Sequence, residues 1–125
     1  MRASVSVLVV DDNANWRKTF RSIFADRAFR IVEAETGTDA LNKISKGYFD
    51  ILLIDLKLGG GCTGIEVISR AKELNLRMGA IFLVTGYPDA NAMFEAFELG
   101  VFEFLEKGDV DLMDQIRTKV DEALK

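Results

Sequence analysis

The chain has 125 residues, with 16 Lys plus Arg against 20 Asp plus Glu, one cysteine, one proline and no histidine. That length fits a single domain over 1–125, the net charge of −4 argues against direct nucleic-acid binding, and one cysteine excludes an internal disulfide. Without histidine there is no Ser-His or Cys-His pair and no His-ligated zinc, so any imidazole chemistry must come from another molecule.

The first apolar run, Val5 to Val10, is continuous rather than alternating, as a strand buried on both faces should be. It is far shorter than the roughly 20 residues needed to cross a bilayer, and no basic segment followed by a long apolar stretch opens the chain, so neither membrane insertion nor a signal peptide is expected. Trp16, Phe20, Ile23 and Phe24 then recur at helical spacing. A second run, Phe29 to Val32, precedes Thr36, which with Asp39 three residues on predicts a helix start leading to Leu41 and Ile44. Ile51 to Ile54 is the third run, followed by a helical stripe of Ile65, Ile68, Ala71 and Leu74. Ala80 to Val84 is the fourth; Asp89, after Pro88, is expected to cap a helix running to about Leu99. Val101 to Leu105 and the stripe Leu112, Ile116, Val120 and Leu124 complete the pattern. Strand and helix alternate five times, which implies an α/β fold, (βα)5, with a parallel sheet, right-handed crossovers and helices on both faces.

In such a sheet the site lies beyond the carboxyl ends of the strands. Asp11 and Asp12 follow the first apolar run, Asp55 the third, Thr85 the fourth and Lys107 the fifth. If the strand order is the flavodoxin-like 2-1-3-4-5, three carboxylates converge on one crevice with a hydroxyl and an ammonium beside them. Clustered carboxylates repel and need a cation or raised pKa values, and their oxygens suit a hard ion such as Mg2+. Lys107 and Thr85 can serve phosphoryl oxygens, leaving one carboxylate as a nucleophile toward phosphorus. Asp55, alone at the end of a central strand, is the best candidate. Taken singly, each residue has a plainer reading as a cap, turn former or solvated surface group. Their joint placement at strand ends favours a site.

The segments VLVVDDN, ILLIDLKL, LVTGYPD and FEFLEK carry these residues, with Thr85 30 positions after Asp55, Lys107 22 beyond that, and Phe104 three before the lysine. As a set they resemble the receiver domain of two-component response regulators, of the chemotaxis-regulator kind, over essentially the whole chain. The resemblance implies that Asp55 is the phosphoacceptor. It implies Mg2+ bound by the side chains of Asp12 and Asp55, by the backbone carbonyl of Lys57 and, through water, by Asp11. It further implies that Thr85 bonds the phosphoryl group and moves toward it, that Lys107 pairs with it, and that Phe104 turns inward behind Thr85. The implied partners are a histidine kinase or histidine phosphotransfer protein and a downstream effector or output domain, with possible homodimerisation through helix 4, strand 5 and helix 5. A cytoplasmic location and slow self-catalysed dephosphorylation are expected with them. A phosphorylation-independent pseudo-receiver is the alternative. A multiple-turnover aspartyl phosphohydrolase is a further one, but such enzymes carry a second Asp two residues after the nucleophile, where this chain has Lys57.

Two departures from that family stand out. Gly108 follows Lys107 where the family usually has proline, which relaxes the backbone behind the lysine. The stretch from Leu58 to Thr63 reaches Gly64 nine positions after Asp55, one more than is common, and its three glycines predict a mobile loop beside the site. No P-loop pattern accompanies them. Cys62 in this loop reads as a small loop residue rather than a reactive thiol. Lys57 and Tyr87 are expected to flank the site. Ala90, Met93, Phe94 and Phe97, with Ala96 and Leu99, give helix 4 a broad apolar face, expected mostly as core, with Met93 and Phe97 as candidates for an exposed patch. Trp16, one helical turn after Asp12, is expected near the site.

Overall fold

The computed structural model describes residues 4–125. Its chain order is β1 (Ser6–Val10), α1 (Ala14–Ile23), β2 (Arg30–Ala34), α2 (Gly37–Lys46), β3 (Ile51–Ile54), a one-turn 3-10 segment (Gly59–Gly61), α3 (Gly64–Glu73), β4 (Ala80–Thr85), α4 (Ala90–Glu98), β5 (Glu103–Glu106) and α5 (Leu112–Ala123). The five strands form one parallel sheet in the order β2-β1-β3-β4-β5, so the doubly wound α/β expectation holds, strand order included.

Alternate residues of each central strand feed two separate cores, which is why the apolar runs are continuous. Leu8, Val10, Leu52, Ile54 and Leu83 pack with Ala40, Ile44, Ile65, Ile68 and Ala96, placing α2, α3 and α4 on one face. Val7, Val9, Ile51, Leu53, Phe82 and Val84 pack with Phe20, Ile23, Phe24, Leu112, Ile116 and Val120, placing α1 and α5 on the other. The caps expected at Thr36 and Asp89 are present: Thr36 accepts from the Asp39 N–H at 3.0 Å, and Asp89 from the Asn91 N–H at 2.9 Å.

Several expectations change at the edges. The second strand is Arg30–Ala34 rather than 29–32, and the fifth is Glu103–Glu106 rather than 101–105. Both are edge strands with one neighbour each, so polar residues such as Glu33 and Glu106 sit in them without burial on two sides. Leu74 is exposed, because it caps the end of α3 and the chain turns away at Asn75 with a left-handed φ of 57°; Val67 takes the buried position instead. In α4 only Ala96 is buried, while Met93, Phe94 and Phe97 are exposed. Its apolar face is therefore a surface patch rather than core. No helix among the described residues is long and apolar enough to cross a membrane.

Candidate functional site

Val10 and Ile54 are register partners in the neighbouring strands β1 and β3, so the residues that follow them, Asp11 and Asp55, leave the sheet side by side. The Asp55 N–H donates to the Val10 carbonyl at 2.9 Å, and that of Asp11 to the Ala34 carbonyl at 3.2 Å. One carboxylate oxygen from each of Asp11, Asp12 and Asp55 lies within 4.8 Å of the others. Asp11 is completely buried, Asp55 is 8% exposed and Asp12 faces solvent. Lys107 follows β5 and its N–H is fixed on the Thr85 carbonyl at 2.8 Å. Its stem reaches across β4, so that Nζ donates to Asp11 Oδ2 at 2.7 Å and Asp55 Oδ2 at 3.1 Å. Burial pushes the Asp55 carboxyl above the usual carboxylate range; the Lys107 ammonium opposes this shift and the Asp11 charge adds to it.

A cavity of about 520 Å³ opens over these groups, walled by Asn13, Trp16, Lys57, Gly86 and Tyr87. Lys57 and Tyr87 flank it as expected, with the Lys57 ammonium 4.3 Å from the Tyr87 ring centroid. Trp16 also stands at the site, 4.7 Å from the Lys107 ammonium. Thr85 is fully buried, and its hydroxyl accepts from the Tyr87 N–H at 3.0 Å rather than contributing to the cavity wall. Phe104 pairs with Leu83 in β4 and packs, half-buried, against the α2–α4 core.

The loop after Asp55 lies beside the site. Lys57 and Thr63 form an antiparallel bridge, the Leu58 N–H bonds the Cys62 carbonyl at 3.0 Å, and Gly60 and Gly61 take left-handed φ values of 76° and 79°. Cys62 belongs to a separate groove between α2 and α3, where burial and the Glu66 charge push its thiol up. A protonated, half-buried thiol suits the loop-residue reading. At the end of the loop, a Cβ on Gly64 would collide with the Asp55 carbonyl oxygen and stand 2.9 Å from Ile54 and Leu83 methyl groups. Glycine there is a steric requirement of the site.

Two residues that hold the site were not singled out from the sequence. Asn13 opens α1: its side chain accepts from the Asn15 and Trp16 N–H groups, while its own N–H donates to Asp11 Oδ1 at 2.9 Å. An Asn directly before a helical stripe is a cap signal, hidden here by the two aspartates before it. Arg17 is buried and donates to the Asp11 carbonyl at 2.7 Å and to Glu33 Oε1 at 3.0 Å. No local signal marks that role, because its partners lie in two other segments.

The donor set fits a hard divalent cation: three convergent carboxylates share one ammonium, and Asp12 makes no ion pair among the described residues. The model of the response regulator receiver domain family matches residues 7–119. Sporulation initiation phosphotransferase F of Bacillus subtilis is 29% identical over 106 residues, covering 84% of each protein. A cyclic di-GMP phosphodiesterase of Thermotoga maritima is 31% identical over 121 residues, but the chain spans only 31% of that protein's length. Among solved structures, a CheY-like response regulator receiver domain protein of Methanospirillum hungatei superposes with a TM-score of 0.82 at 26% identity, covering 98% of both chains. Family, fold and acidic strand ends agree: the chain belongs to the response regulator receiver domains of two-component signalling.

Proposed function

We propose that Asp55 accepts a phosphoryl group from a phosphohistidine on a partner histidine kinase or phosphotransfer protein, and that the modified chain switches the surface formed by α4, β5 and α5. The supporting observation is the Lys107 ammonium, bonded at once to Asp11 and Asp55 over three convergent carboxylates. Asp12 and Asp55 side chains and the Lys57 carbonyl would hold Mg2+, with Asp11 acting through water. When bound, Mg2+ neutralises charge on the carboxylates and the incoming phosphoryl oxygens.

An Asp55 carboxylate oxygen attacks phosphorus, the phosphorus–nitrogen bond breaks, and the electron pair returns to the partner's imidazole, which takes a proton from solvent. The product on this chain is an acyl phosphate. Lys107 pairs with the added charge, and the Thr85 hydroxyl, which now only accepts, has its proton free to donate to a phosphoryl oxygen. Water attack on phosphorus restores the carboxylate and releases inorganic phosphate. Output passes to an effector, an output domain or a second copy through the exposed Met93, Phe94 and Phe97 of α4 and the adjoining strand and helix. The reaction belongs in the cytoplasm, where histidine kinases present their phosphoryl groups.

Incubation with Mg2+ and a small phosphodonor tests the reading by intact-mass measurement. The expected result is a gain of one phosphoryl group that disappears in Asp55→Asn. No gain would identify a pseudo-receiver, a gain that survives the substitution would move the acceptor elsewhere, and rapid turnover of small phosphate esters would indicate a phosphohydrolase.

A further inference from the structure

We propose that Trp16 is the positioning residue of Lys107, its indole face holding the ammonium against the Asp11–Asp55 pair; this rests on the phosphoacceptor reading of Asp55. The Lys107 ammonium has carboxylate oxygens at 2.7 and 3.1 Å and the Trp16 ring centroid at 4.7 Å. That separation is well inside the roughly 6 Å over which a ring quadrupole attracts a cation.

The backbone fixes only where the Lys107 stem begins: its N–H is held on the Thr85 carbonyl, and the Asp109 N–H closes a turn around Lys107 and Gly108 on the Glu106 carbonyl at 3.2 Å. The next residue is Gly108, and a Cβ built there would meet nothing within 4 Å. The turn is closed by its own hydrogen bond, but no side chain packs on its outer face to steer the lysine stem. Four rotatable carbons separate the anchored backbone from the ammonium, and the indole removes conformers that swing it off the carboxylates.

Trp16 is itself fixed from two sides. Its N–H donates to Asn13 Oδ1 at 3.1 Å in the first turn of α1, and its ring packs on Phe20 with centroids 5.4 Å apart. Asn13 in turn donates its N–H to Asp11 Oδ1 at 2.9 Å, and Asp11 Oδ2 receives Lys107. The contacts therefore close a ring: Asp11, Asn13, Trp16, Lys107 and back to Asp11. The helix cap that orients α1 is thereby the device that places the ammonium beside the nucleophile. A preplaced charge of this kind costs no reorganisation when the phosphoryl group arrives.

Two measurements test the assignment. Trp16 is the only tryptophan, so the emission of the folded, metal-free protein reports its surroundings alone. Lys107→Met is expected to change that emission in the native but not the unfolded state; an unchanged native spectrum overturns the contact, whether or not Asp55 takes a phosphoryl group. In kinetics with a small phosphodonor, Trp16→Leu is expected to slow phosphorylation about fivefold, equivalent to about 1 kcal/mol. Trp16→Phe, which keeps a π face, should recover part of the rate, and Trp16→Leu should add nothing in a Lys107→Met background. A wild-type chain that phosphorylates while Trp16→Leu keeps the full rate, or an equal loss in both backgrounds, reduces Trp16 to a packing residue and overturns the proposal. A wild-type chain that takes no phosphoryl group refutes the reading of Asp55 instead.

Discussion

Asp55 is placed where its charge is costly to hold. The carboxylate is 8% exposed, has Asp11 beside it and shares one ammonium with it, so its protonated form is favoured relative to an exposed aspartate. A folded-state pKa above the unfolded one means that Asp55 contributes no penalty at pH values below the carboxylate range. The penalty then grows as pH rises through that range to the raised value. In metal-free protein, the stability of Asp55→Asn relative to wild type is therefore expected to increase across this interval. Thermal unfolding of both chains in chelator at a series of pH values checks it; a parallel or opposite trend would show that Lys107 outweighs burial. The same shortage of positive charge creates room for a divalent cation, since binding relieves the repulsion among all three carboxylates.

At the scale of elements, the joint between β1, α1 and β2 hangs on Arg17. Its guanidinium satisfies the buried Asp11 carbonyl and pairs with Glu33, which Arg21 also meets at 2.9 Å. Burial alone would raise the Glu33 carboxyl, but hydrogen bonds from Arg21 and Arg17 outweigh it and hold the group below its ordinary range. That contribution is present above the usual carboxylate value and is lost as pH falls through the lowered one. Arg17→Met leaves the Asp11 carbonyl without its donor and should destabilise the chain by about 2 kcal/mol, seen as a lower denaturant midpoint with unchanged slope. The interiors of β1, β3, β4, α1 and α5 were legible in the amino-acid order, because those strands are buried on both faces and those helical stripes meet a core directly. Edge strands were displaced by a residue or two, since one-sided pairing lets charged residues such as Glu33 join them. Asp11, Asp12, Asp55 and Lys107 were legible as a site because parallel topology gathers strand ends. Trp16 was legible as a neighbour of the site from its spacing after Asp12, but the contacts that join distant segments through side-chain length, Arg17 to Glu33 and Trp16 to Lys107, left no local pattern.

Across the whole molecule both faces of the sheet are covered, but the helices that cover them are buried unequally. The α1 and α5 face is closed by buried aromatics and by ion pairs such as Arg117 with Asp26 at 3.0 Å, whereas α4 buries little besides Ala96. Phe94, 68% exposed, and Phe102, 40% exposed but stacked on Phe82 at 5.5 Å between centroids, show the contrast. Phe94→Ser is expected to change unfolding free energy by no more than about 0.5 kcal/mol. It should nevertheless weaken self-association or effector binding of the phosphorylated chain at least tenfold, measured by sedimentation or by titration with the effector. Equal association of variant and wild type would remove this face from the output surface. The helical period marked α4 as apolar on one side, but period alone does not distinguish a stripe that meets the core from one that meets a partner.

The loop after Asp55 separates two kinds of freedom within a few residues. The Lys57–Thr63 bridge closes its stem, so added length is taken up at Gly59 to Gly61 and never reaches the sheet. Gly64, one residue past the stem, touches the Asp55 backbone so closely that not even a methyl group fits. A lineage of such chains is thus free to lengthen, recharge or decorate the rim of its site while the distance from α3 to Asp55 stays locked, which lets recognition diversify without re-inventing the chemistry.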